Sequence, residues 1–232
     1  RLAAAGVNGV WVHTVLRTLA KAPAFPEFGE DSEKRIAGLR TLVARAKKYG
    51  IDVYLYMNEP RAMHASFFEA RPERAAMRGV ASTADGSERL CTSNPEVRRW
   101  MSDALASVFK QVPGLGGVFT ITASENPTSC ASHRQQAKCE RCKLRSYADI
   151  IAEVNATIAQ GVACGNPKAK TIVWDWGWND TQAAAIIEKL PKTCWFQSLS
   201  ELALPINRGG VNSTVNEYSI SAVGPGPRAA RH

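Results

Sequence analysis

Residues 116–142 read GGVFTITASENPTSCASHRQQAKCERC. Two signals lie in this stretch. The β-branched run Val118, Phe119, Thr120, Ile121, Thr122 is opened by glycines and closed by Asn126-Pro127, the pattern of a buried strand. The run leads through Ala123 to Ser124 and Glu125, which places Glu125 at the strand's C-terminal end. Directly beyond come Cys130-x-x-His133 and Cys139-x-x-Cys142. Three thiols and an imidazole in two close pairs have the spacing of a tetrahedral metal site.

Outward from this strand, the chain alternates. Strands are expected at 9–14, 51–57, 171–174, 194–199 and 217–223, besides the one at 117–122. A helix is expected over 34–49, where Ile36, Leu39, Val43 and Ala46 share one face and Gly50 follows as a stop. A second starts at Asn94-Pro95-Glu96, a capping Asn before a first-turn Pro, and stops at Pro113-Gly114. Further helices are expected at 146–160 and from Asp180 to Leu190. Residues 15–31 and 200–216 read as loops, and 62–90 carries weak helical character. Alternating strand and helix means parallel strands with helical crossovers. The strands are apolar on both faces, as in a sheet covered on both sides. No Gly-rich phosphate loop follows any strand, which counts against dinucleotide-binding and P-loop folds. Strand after strand instead ends in polar or aromatic residues: His13, Asn58-Glu59, Ser124-Glu125, Asp175-Trp176, Gln197. A (β/α)₈ barrel places its active site at those ends. About six strands are visible, so we expect one α/β domain over 1–232, an incomplete (β/α)₈ TIM-type barrel with a Cys/His metal-binding loop at 126–145. A doubly wound sheet is the alternative.

The chain begins on Arg1 rather than Met and ends on His232 just after a strand, which reads as a fragment of a longer protein whose leader could be lost. No apolar run approaches the roughly 18 residues of a membrane span. The net charge is +8, yet Arg35, Arg40, Arg45, Lys47 and Lys48 all sit on one helix and no basic block interleaves with aromatics. We therefore expect no nucleic-acid and no membrane partner. Of the six cysteines, Cys91, Cys164 and Cys194 fall outside the cluster; three leftover thiols cannot all pair within the chain, which favours a reducing, cytoplasmic setting. Asn155, Asn179 and Asn212 each open a glycosylation sequon.

Glu59, Glu125 and Asp175 each follow a strand, and neighbouring barrel strands would aim all three into one cleft. Glycoside hydrolysis needs one protonated carboxyl for the leaving oxygen and one ionised carboxylate facing the anomeric carbon. The apolar strand before Glu125 makes it the expected acid, by desolvation, with Glu59 or Asp175 as its partner. Trp176 and Trp178, beside a Gly and an Asn, are expected to stack against sugar faces, whereas Trp174 and Trp195 are read as packing. His13, Asn58, Arg61 and Ser124 complete the expected substrate-binding set. The loop around Cys130, His133, Cys139 and Cys142 has no apolar core of its own, so a structural zinc held by those four would supply its folding energy.

With the strands placed, AKKYGI at 46–51, GGVFTITASE at 116–125 and IVWDW at 172–176 make the chain similar to the (β/α)₈-barrel glycoside hydrolases, most closely the β-hexosaminidase-like branch (glycoside hydrolase family 20). In that family the fourth strand ends in Gly-Asp-Glu; the Glu is the general acid and the Asp orients the substrate's own acetamido group as nucleophile. The resemblance implies that Glu125 is the acid and puts Ser124 at the Asp, where a serine cannot perform that role. Asn58-Glu59-Pro60 also resembles the Asn-Glu-Pro acid/base motif of another barrel clan, whose nucleophile lies three strands later. The expected function is a glycosidase cleaving an oligosaccharide or glycan by carboxyl acid/base chemistry. The alternatives are a carbohydrate-binding barrel without catalysis and a zinc-stabilised nucleic-acid-binding protein.

Overall fold

A computed structural model of the chain describes residues 1–81, 86–124, 126–178, 180–198 and 205–214. Five strands form the central sheet: β1 (Gly9–His13), β2 (Asp52–Met57), β6 (Gly117–Ile121), β7 (Lys170–Trp174) and β8 (Trp195–Gln197). Their spatial order is β1-β2-β6-β7-β8, and every neighbouring pair is parallel. Each strand is thus laid beside its predecessor in the sheet, always on the same side. A doubly wound sheet must reverse its strand order at a switch point, and among the described residues this sheet has no reversal. The architecture is an incomplete α/β barrel.

The crossovers are α1 (Ser32–Lys47), α3 (Pro95–Gln111), α4 (Tyr147–Gly165) and α5 (Asp180–Lys189). The side chain of Asn94 caps α3 by accepting from Glu96 N at 2.8 Å, and that of Ser146 caps α4 by accepting from Asp149 N at 3.0 Å. The helices cover one face of the sheet. Val53, Leu55 and Met57 of β2 pack with Ile36, Leu39 and Val43 of α1 and with Leu105 and Val108 of α3. Val173 of β7 packs with Ile150 and Ile151 of α4 and Ile186 and Ile187 of α5. The alternate residues, Phe119, Ile121 and Trp174 with Tyr56, Ile172 and Trp176, form a separate aromatic cluster. Trp11 stacks on Phe119 at 4.7 Å yet remains 57% exposed. The strands are therefore apolar on both faces, as expected, but helices account for only one of them. The second apolar face is the inner lining of the arc.

The 62–90 segment differs from the weak helix expected there. It holds a three-stranded antiparallel sheet, β3 (Met63–His64), β5 (Ser87–Leu90) and β4 (Arg78–Ala81), in the order β3-β5-β4, with a short α2 (Ala65–Glu69) and a 3₁₀ turn, Pro72–Met77. An Arg78–Glu88 ion pair at 2.7 Å bridges β4 and β5. Arg74 anchors the segment from inside: its guanidinium lies 4.2 Å over the Phe67 ring and grips both oxygens of Glu27 at 2.6 and 2.7 Å. Near the end of the described residues, Gly209-Gly210 turns a hairpin of β9 (Pro205–Arg208) and β10 (Val211–Thr214), within the expected loop. The strand expected at 217–223 lies outside the described residues.

Candidate active site and cysteine cluster

Because the five strands are parallel, their C-terminal ends gather at one end of the sheet. His13 closes β1, Asn58 and Glu59 follow β2, Ser124 and Asn126 follow β6, Asp175 and Trp176 follow β7, and Ser198 follows β8. Glu125 lies outside the described residues.

Glu59 is 1% exposed. Its Oε1 accepts from Leu16 N at 2.8 Å and its Oε2 from Arg61 N at 3.1 Å. Burial pushes its carboxyl up from 4.5 to about 7, against the pull of the Leu16 N–H, of the Arg61 charge and backbone N–H, and of the Arg17 charge. Both oxygens are thus committed to backbone groups, and Glu59 ties the chain beyond β1 to the exit of β2. Arg61 reaches further. Its Nη1 donates to Asn126 Oδ1 at 2.6 Å and its Nη2 to His13 Nε2 at 2.8 Å, which makes that imidazole nitrogen an acceptor. One guanidinium therefore links the ends of β1, β2 and β6. Asn58 beside it is buried, and neither atom of its amide has a partner among the described residues; Arg61 Nε is likewise without one. An unmatched buried amide costs about 1–3 kcal/mol, and few buried polar groups in a fold go without a partner.

Asp175 is buried at the end of β7, where its Oδ2 accepts from Ser198 Oγ at 2.8 Å. Trp176 is half-buried and stacks on Trp174 at 5.5 Å, extending the inner aromatic lining to the strand ends. Trp178, expected in the cleft, is instead core: it is 6% exposed, packs 6.0 Å from Phe196, and directs its indole N–H toward Thr122 Oγ1 at 3.4 Å. Gly177 is the reason. Its φ of +77° reverses the chain, and an added Cβ would lie 2.6 Å from the Ala123 carbonyl oxygen. The turn sits directly on Ser124, which is buried with its hydroxyl unpartnered among the described residues.

Behind the strand ends, a polar network runs from β6 into α4. Asn155 accepts from Thr120 Oγ1 at 2.9 Å and donates to Thr122 Oγ1 and Ile151 O, each at 3.0 Å. The sequon asparagine at 155 is thus wholly buried.

The cysteines form a second constellation. The Sγ atoms of Cys91, Cys130, Cys139 and Cys142 all lie within 4.8 Å of one another, and all four residues are buried free thiols. The fourth member is Cys91 rather than the expected His133. The His133 Nε2–H donates to the Ser124 carbonyl at 3.0 Å, which ties the cysteine loop back to the β6 strand end. Cys91 directly follows β5, so it belongs to the antiparallel excursion, and spacing within the 126–145 loop gave no sign of it. Hydrogen bonds from Cys130 and Cys91 lower the Cys142 thiol well below its usual range, and the shared bond to Cys142 pushes Cys130 up. A cavity of about 630 Å³ is lined by Arg17, Met63, His64 and Arg74, on the segments that follow β1 and β2.

No family model matches the chain, and no curated protein does. Solved structures match it in fold. A family 20 exo-β-N-acetylglucosaminidase from Vibrio harveyi, in complex with N-acetylglucosamine, superposes with a TM-score of 0.53 at 12% identity, over 86% of this chain and 34% of that one. The glycoside hydrolase domain of PelA from Pseudomonas aeruginosa gives 0.48 at 15% identity, over 90% and 74%. An α-amylase from Geobacillus thermoleovorans, complexed with acarbose, gives 0.48 at 15% identity, over 81% and 40%. The chain thus spans less than half of the amylase and of the acetylglucosaminidase. The likeness to the acetylglucosaminidase is one of fold, and it agrees with the parallel strand order described above.

Proposed function

We propose that this chain is part of a (β/α)-barrel glycoside hydrolase acting on an oligosaccharide or glycan. The observation that carries the reading is the gathering, at the C-terminal end of the parallel strands, of a buried carboxylate (Asp175), an arginine bridging three strand ends (Arg61), a buried amide unpartnered among the described residues (Asn58) and a half-buried indole (Trp176). Sugars are recognised by such a combination: polar groups for hydroxyls and an aromatic face for the apolar ring.

In this reading Glu125 protonates the leaving glycosidic oxygen, and Asp175 is the second carboxyl group, facing the anomeric carbon as charge develops on the ring. Ser198 holds Asp175 by one oxygen. Glu59, with both oxygens on backbone N–H groups, acts as a positioning residue for Arg61 rather than as the second catalytic carboxylate. Buried Ser124 offers no carboxylate to orient an acetamido nucleophile, so the reaction proceeds without that assistance. The test is release of aryl alcohol from a panel of aryl glycosides. We expect turnover of at least one, reduced roughly 10²–10⁴-fold in Asp175→Asn with an unchanged melting curve. Equal turnover in wild type and Asp175→Asn would refute the assignment.

The second reading is a barrel that binds carbohydrate without cleaving it. The burial of Ser124 beneath Gly177 favours it, because the position that carries an acid in hexosaminidase-like barrels carries none here.

A further inference from the structure

We propose that Cys91, Cys130, Cys139 and Cys142 bind one zinc ion as a closed tetrathiolate site that fastens the antiparallel excursion to the loop behind the β6 strand end. The geometry is the first support. Tetrahedral zinc with Zn–S bonds of about 2.3 Å separates its sulfurs by about 3.8 Å. Cys91 Sγ lies 3.8 Å from Cys139 Sγ and 3.6 Å from Cys142 Sγ, and no pair in the cluster exceeds 4.8 Å. The Cys139-x-x-Cys142 turn closes through Cys142 N and Lys143 N, which both donate to the Cys139 carbonyl at 2.9 and 2.8 Å. That turn aims both thiols to one side.

The surroundings are the second support, and they are independent of the sulfur spacing. Four buried cysteines alone would suit an apolar core, but a buried arginine, Arg89, stands close enough to Cys130 for the two charges to interact. Arg89 is 2% exposed, and its partners among the described residues are neutral oxygens, Val80 O at 3.2 Å and Gln135 Oε1 at 3.0 Å. Its Nε has no partner, and no carboxylate pairs with it among the described residues. Burying a guanidinium without a counter-charge is strongly unfavourable. Arg145, whose counter-charge is Glu153 at 2.7 Å, also donates to Ser93 Oγ at 2.5 Å, and Ser93 Oγ sits 3.1 Å from Cys142 Sγ. Zinc with four thiolates carries a net charge of about −2, and it supplies an anion for Arg89, which has none among the described residues.

Packing is the third support. Gly79 on β4 lies against the cluster, where an added Cβ would fall 2.7 Å from Cys130 Sγ. The excursion is therefore pressed onto the thiols with no room to spare. The four ligands come from three segments: the end of β5, the loop after β6, and the turn into α4. With all four positions filled by protein, the metal has no open coordination site and its role is structural.

The test is metal content of the full chain, reconstituted with zinc under reducing conditions and then dialysed. We expect about one zinc per chain in wild type and in His133→Ala, and near none in Cys91→Ala. Cobalt substitution gives a second readout that does not require Cys91→Ala to fold: the wild-type charge-transfer and ligand-field bands should be those of four thiolates and should persist in His133→Ala. Wild type without bound metal would overturn the proposal. So would full zinc binding in Cys91→Ala, or a three-thiolate, one-imidazole cobalt spectrum that His133→Ala abolishes. Metal content is read without any sugar substrate, so this result stands apart from the question of hydrolysis.

Discussion

Glu59 gives the most quantitative consequence of the site. Its carboxyl is raised from 4.5 to about 7 by burial, so the folded chain holds a proton there that the unfolded chain releases above pH 4.5. Between those two values folding takes up a proton, and stability falls as pH rises, at about 1.36 kcal/mol per pH unit. Over the whole window the loss is about 3 kcal/mol. The contribution is complete below pH 4.5 and gone above pH 7. Glu59→Gln removes the titration. A Gln oxygen can accept from only one of the two backbone donors, Leu16 N or Arg61 N, and its amide N–H₂ meets the other. The variant should therefore be less stable than wild type by about 1–3 kcal/mol at pH 4.5. That deficit should shrink, and then reverse, as pH rises toward 8. Urea unfolding followed by tryptophan fluorescence at pH 4.5, 5.5, 6.5, 7.5 and 8.5 measures the difference. Two parallel stability–pH curves would refute the reasoning, since they would mean that Glu59 is ionised across the range.

Other perturbations have equally definite outcomes. Asn155→Leu leaves the Thr120 and Thr122 hydroxyls without their buried partner, and should lower stability by about 2–4 kcal/mol in urea titration. Glu27→Gln removes the counter-charge of buried Arg74, at a cost of about 2 kcal/mol, less than for a fully buried pair because Glu27 is itself half exposed; differential scanning fluorimetry reads the shift. Gly177→Ala forces a Cβ toward the Ala123 carbonyl at a positive φ and should cost about 1–3 kcal/mol, with a larger loss of glycan affinity than Trp178→Phe. Arg61→Lys loses the fork that spans His13 and Asn126; it should weaken glycan binding by roughly tenfold while the chain still melts cooperatively.

The barrel strands and crossover helices are legible because their signals are local: the β-branched run at 118–122, the apolar face of α1, the Asn94 cap. The excursion is not. Its strands are two to four residues long, too short to show alternation, and their partners are fixed by tertiary contacts such as Arg78 with Glu88 and Arg74 with Glu27 and Phe67. Cys91 is hidden for the same reason. Its distance from Cys139 and Cys142 follows from how the excursion folds back, which spacing within one loop cannot reveal, whereas His133 has the expected spacing but turns toward Ser124. Trp178 reads as a cleft residue from its neighbours and becomes core because Gly177 reverses the chain. The Arg61 bridge shows a further limit: Asn126 reads as turn punctuation, and only the parallel register brings it within reach of Arg61.

The claim at the centre of this account is that the gathered strand ends cleave glycans with Glu125 as acid. The most direct test measures oligosaccharide cleavage and oligosaccharide binding on the same preparations of wild type and Glu125→Gln. The account predicts cleavage by wild type, a loss of roughly 10²-fold or more in the variant, and binding unchanged within about threefold. Cleavage undiminished in Glu125→Gln would contradict the assignment of the acid. Binding without cleavage in wild type would contradict the enzyme itself and establish the chain as a carbohydrate-binding barrel.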